Sequence, residues 1–200
     1  MNLMMLVLFM VIWIYAINVF RRKNQNFFYF FGGSVGMFIF LFAIFEPILT
    51  APLAKLVCYL TGIVGRLSGI FSAFASYGIL FIEESEGGPV SLYVDFECAG
   101  LVEILVFLSL LTFFQAYKWH EKIVVGILGV LGIAAANILR LSIICTMIHF
   151  MGNEIYYLAH TIVGRLVFYL FTIILYFYVF TRRQIKIQRV GEFAYNDKTD

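Results

Sequence analysis

Cys98-Ala99-Gly100-Leu101-Val102-Glu103-Ile104-Leu105-Val106-Phe107-Leu108-Ser109-Leu110-Leu111-Thr112-Phe113 is the stretch whose reading decides the fold. From Leu101 to Tyr117 the chain is apolar, broken only by Glu103 and Gln115. Such a run reads as a membrane helix, because about 20 predominantly apolar residues cross a bilayer. Just upstream, Pro89-Val90-Ser91-Leu92-Tyr93-Val94-Asp95-Phe96 partly alternates and carries β-branched and aromatic residues, which reads as a strand. Cys98 therefore stands where extended chain gives way to a helix start. The free N–H groups of a helix start favour negative charge. A thiolate gains there, and the thiol becomes more reactive. A structural cysteine gains nothing from that position.

Working outward, four further apolar runs appear. Residues 3–20 meet Arg21-Arg22-Lys23, residues 27–45 close on Glu46-Pro47, residues 123–150 follow Lys118-Trp119-His120-Glu121-Lys122, and residues 156–180 precede Arg182-Arg183. The first run lacks a basic start and a small-residue cleavage site, so it reads as a retained span rather than a signal peptide. The run at 123–150 exceeds one bilayer crossing and is expected to tilt, bend or protrude. With 62% hydrophobic and 13% charged residues in 200, the chain leaves no room for a sizeable soluble domain.

The expected fold is thus an all-α polytopic membrane protein of about five transmembrane helices. Residues 52–75 are apolar but carry Lys55, Arg66 and several glycines. They are expected to form an outer interfacial or re-entrant helix, a sixth span being the alternative. A short β-hairpin of about 77–82 and 90–96 should follow, with Gly87-Gly88 at its turn. Basic residues gather after the first, third and fifth spans, and cytoplasmic loops carry that excess. The N-terminus and the acidic segment 83–97 then face outward, and the basic and polar tail 183–200 is cytoplasmic.

Ionisable residues inside spans are costly and point to function. Arg140, in Asn137-Ile138-Leu139-Arg140, lies about 27 Å along its helix from Lys122, close to one hydrocarbon thickness. The plain alternative is an Arg that snorkels to outer head groups. Asn137 lies one turn earlier on the same face and either positions Arg140 or lines the site. His160 opens the last span, with Arg165 five residues further in. His149 is a competing base, and His120 falls in a cytoplasmic loop. Cys98, Arg140 and His160 thus meet at one membrane face. A thiol can attack a carbonyl, an imidazole can shuttle protons, and a guanidinium can stabilise a thiolate or oxyanion. Glu97, Glu103, Asn137 and Arg165 are candidate supporting or substrate-binding residues.

Three cysteines are no disulfide framework, and Cys58 and Cys145, in apolar runs, read as packing residues. No H-E-x-x-H, CxxC or carboxylate cluster suggests a metal, and no phosphate loop or G-x-S-x-G appears, so no cofactor is expected. The basic tail is a topology anchor rather than a nucleic-acid surface.

Cys98-Ala99-Gly100, Asn137-x-x-Arg140 and His160 together resemble the exosortase/archaeosortase family, in order and spacing, over about residues 96–169. The compact Gram-positive branch called exosortase G is the most similar. Ala99 stands where many members have Ser, and the extra spans of larger members are lacking. The resemblance implies a single integral membrane domain over 1–200, acting as a cysteine protease/transpeptidase at the cell membrane. Its substrate would be an exported, membrane-anchored protein with a C-terminal sorting signal: a short motif, a transmembrane helix and a basic cluster. Cys98 would be the nucleophile, Arg140 its assistant and His160 the acid/base. The acyl group would pass to water or to a lipid or glycan acceptor of the envelope. The competing reading is a non-enzymatic multispan transporter or an assembly component for envelope polysaccharide.

Overall fold

The computed structural model describes residues 3–23, 25–82, 88–94 and 98–185. The chain is mostly helical, with a small three-stranded sheet inserted after the second helix. Helix α1 (Leu3–Arg22) leads into α2 (Asn26–Ser68). Strands β1 (Phe71–Phe74), β2 (Ile79–Ile82) and β3 (Val90–Tyr93) follow. Helices α3 (Leu101–Phe113), α4 (Trp119–Met151) and α5 (Gly164–Tyr176) complete the fold. Helix α5 is flanked by π-helical turns at Leu158–Val163 and Phe177–Thr181. Among the described residues, three helical stretches are long and apolar enough to cross a membrane: Asn26–Ser68, Trp119–Met151 and Leu158–Ile185. Their apolar flanks make this a membrane-embedded protein.

Two expectations are corrected. The first is the separate interfacial helix over 52–75. Instead α2 runs unbroken through Pro47 and Pro52 to Ser68. Its length is about 65 Å, roughly twice the hydrocarbon thickness. Each proline removes one backbone donor, but the remaining helical bonds are worth more than a break in apolar surroundings. Between the two prolines the Thr50 hydroxyl adds a bond to the Glu46 carbonyl at 2.6 Å. The helix ends where Gly69 adopts φ +70° and returns its N–H to the Gly65 carbonyl, a glycine C-terminal cap. Residues 71–74, read as the end of that helix, form β1.

The second correction concerns the third helix, expected over 101–117. Helix α3 stops at Phe113, and Phe114 is extended. At about 20 Å it falls short of a 30 Å hydrocarbon layer. The chain gains other partners by turning there. The Tyr117 hydroxyl donates to the Val179 carbonyl at 2.6 Å, and the Lys118 N–H bonds the Glu121 carboxylate at 3.1 Å to start α4. Arg183 closes the same corner with a 3.0 Å ion pair to Glu121.

The hairpin expectation survives in shortened form. Strand β2 pairs antiparallel with β3 from Ile79↔Tyr93 to Ile82↔Val90. Strand β1 adds to the other edge of β2, from Phe71↔Ile82 to Phe74↔Ile79. Gly88, at the expected turn, has φ +97°, while Gly87 lies outside the described residues. Gly62 and Gly65 of α2 leave no room for a side chain against Ala73 and Phe71, so the sheet packs directly on the helix backbone.

Two cores result. Phe107, Leu111, Ile133, Ala136 and Phe168 join α3, α4 and α5 in one. The other joins the far end of α2 (Val57, Cys58), the sheet (Leu80, Ile82, Leu92), and the second half of α4 (Leu141, Ile144, Cys145, Ile148). The second half of helix α4 is therefore buried against the sheet and α2. Cys98 and Ala99 belong to this second core.

Candidate active site

Residues 98–100 form a turn whose last member opens α3. Gly100 has φ +76°, a left-handed conformation that costs any other residue about 1–2 kcal/mol. Its Cα also faces the Asn137 side chain so closely that a Cβ would stand 3.3 Å from Nδ2. Glycine thus answers both the bend and the approach of α4. The Gly100 carbonyl accepts the Ile104 N–H at 3.2 Å, the first turn of α3.

The turn brings Cys98 Sγ to 3.3 Å from Nε2 of His160, although the two are 62 residues apart. His160 sits in the π-helical turn 158–163, the kind of irregularity that frequently marks functional sites. Its ring stacks parallel on Tyr156, centroids 5.8 Å apart and planes within 2°. Below it Gly164 meets Ile144 with no space for a Cβ, which draws the start of α5 onto α4. Asn137 reaches across from α4 and donates from Nδ2 to the Cys98 carbonyl at 2.6 Å. Cys98 is only 1% exposed, so the sulfur is covered.

Arg140 lies one helical turn beyond Asn137. At 5% exposure it does not snorkel outward. Its guanidinium carbon stands 5.8 Å from the centroid of Phe168, a cation–π contact. Its Nε is buried with no hydrogen-bond partner among the described residues, and so is Oδ1 of Asn137. No carboxylate pairs with Arg140 among the described residues. It lies three residues beyond Asn137, the residue of α4 that bonds the Cys98 carbonyl.

The remaining candidates are distributed unevenly. Glu103 is half-buried in the first turn of α3, and Arg165 is exposed at the start of α5. Glu97 lies outside the described residues. His149 packs edge-on against its neighbour Phe150, and His120 is exposed at the start of α4. Cys58 and Cys145 form no disulfide and are fully buried in the second core, the Cys58 thiol donating to the Ile79 carbonyl at 3.4 Å. Among the described residues no three His, Cys, Asp or Glu side chains cluster to hold a metal. Tyr156 is the neighbour the sequence reasoning missed. Its signal was the i, i+4 spacing to His160, which places both rings on one helical face.

A thiol against an imidazole nitrogen can transfer its proton and become a nucleophile. No protein-family model, curated protein or solved structure matches the chain.

Proposed function

We propose that this chain is a membrane-embedded cysteine protease/transpeptidase of the exosortase type. The observation that carries the reading is the 3.3 Å approach of Cys98 Sγ to His160 Nε2. In the reaction Nε2 takes the thiol proton and the thiolate attacks a peptide carbonyl. The tetrahedral intermediate collapses to a thioester, and the imidazolium returns the proton to the departing amine. Water or an acceptor nucleophile then resolves the thioester. Arg140, cationic and without a carboxylate partner among the described residues, supplies charge for the oxyanion.

Depth supports an outward site. Asn137, which holds the Cys98 carbonyl, lies about 27 Å along α4 from Trp119, near the far edge of a hydrocarbon layer that begins at the basic corner. An N-terminus outside and a tail inside put Lys118, Lys122, Arg182 and Arg183 on the cytoplasmic face. The sheet and the far ends of α2 and α4 then form an outer cap, with Cys98 at its base. The substrate is an exported protein whose C-terminal sorting helix enters the same bilayer, and the setting is the cell membrane.

The test is processing of a co-expressed exported protein bearing a C-terminal helix and basic tail. Cys98→Ala should leave the precursor uncleaved, while Cys145→Ala matures it. If Cys145→Ala abolishes cleavage at normal protein level and Cys98→Ala does not, the nucleophile is wrongly assigned.

A further inference from the structure

We propose that Asn137 is the positioning residue for the nucleophile, acting through the backbone of Cys98 rather than through Arg140. This inference rests on the thiol–imidazole reading above and assigns one more residue to that site. Asn137 is 1% exposed, and the single hydrogen bond of its side chain among the described residues runs from Nδ2 to the Cys98 carbonyl. A buried amide is costly unless bonded, so this 2.6 Å bond defines where the turn can sit. The carbonyl belongs to the peptide plane that follows the Cys98 Cα. Holding that plane restricts rotation about the Cys98 Cα–C bond and so limits where the side chain can point. Holding the plane keeps Sγ at its 3.3 Å approach to Nε2, because His160 is held separately by the stack on Tyr156. Gly100 completes the device. Its φ of +76° turns the chain so that the carbonyl faces α4, and its missing Cβ clears the path of the Asn137 amide.

Three elements thus meet at one point: the turn from below, α4 from one side and the π-helical turn from the other. Asn137 touches no reacting atom in this scheme. Its bond satisfies the buried Cys98 carbonyl with an amide donor.

The experiment is 15N magnetic resonance of the histidine rings in the purified full-length chain in lipid nanodiscs. Three histidines make the His160 Nε2 signal assignable with His160→Gln. The Cys98→Ala variant marks where that signal falls when the sulfur is gone. Asn137→Leu, which keeps the size and removes the donor, should move the signal most of the way to that position. Asn137→Asp, which keeps the shape, should do the same if Asn137→Leu does not fold. Ser142→Ala removes another buried polar group of α4, whose hydroxyl bonds the Ile138 carbonyl, and should leave the signal in place. An unchanged His160 signal in folded Asn137→Leu and Asn137→Asp overturns the assignment. If Cys98→Ala itself leaves the signal unmoved, the thiol–imidazole pair does not exist and the enzymatic reading falls with it.

Discussion

At the scale of single residues the site asks most of Arg140. A surface arginine could be exchanged for lysine at little cost, because either side chain snorkels. Arg140 is buried, faces Phe168 and leaves Nε unbonded among the described residues. A planar fork held there offers a geometry that an ammonium cannot copy. Arg140→Lys should therefore accumulate normally yet lose about 10²–10³ in processing rate, the usual cost of one oxyanion donor. Processing at the wild-type rate would remove Arg140 from the mechanism. His160→Ala should lose about 10²–10⁴ as a general acid–base does, with His149→Ala close to wild type. An essential His149 beside a dispensable His160 would mean that the base comes from the wrong helix end. Arg140 and His160 were legible in the sequence because ionisable residues are rare in apolar runs, and Cys98 because it stands where extended chain meets a helix start. Their roles relative to Asn137 were not, since spacing along α4 pairs Asn137 with Arg140. Only the tertiary approach of the 98–100 turn shows that its amide bonds Cys98 instead.

At the scale of elements the decisive feature is where α3 begins. The turn at Gly100 sets the register between Cys98 and α4, so its conformation should be expensive to change. Gly100→Ala is expected to cost about 1–2 kcal/mol from the left-handed φ alone. The 3.3 Å approach to Asn137 adds to that cost. Chemical denaturation of the purified protein measures it, and an unchanged midpoint with full processing would show that the turn relaxes freely. The hairpin and the starts of the long helices could be read from alternation, glycine and charge. The length of α2 could not, because proline is a reliable stop only where water can take up the freed backbone groups. Nor could β1, four residues that look like the end of an apolar helix until Gly62 and Gly65 provide a flat backbone to receive them.

At the scale of the whole molecule the proposal stacks an outer cap on a bundle, with Cys98 between them. Its orientation can be tested in a variant lacking all three native cysteines. A membrane-impermeant maleimide on intact cells should label an introduced Ser91→Cys, exposed on β3, and spare Lys118→Cys at the basic corner. The reverse pattern would invert the topology and place the site in the cytoplasm. The central claim, however, is that Cys98 becomes acylated, and trapping shows this most directly. A variant retaining Cys98 alone is incubated with an exported protein carrying a C-terminal helix and basic tail, then quenched in acid and mapped by mass. The account predicts a thioester on Cys98 that hydroxylamine removes and that His160→Ala abolishes. A substrate that is cleaved with no adduct at Cys98, or cleaved equally well after Cys98→Ala, would contradict it.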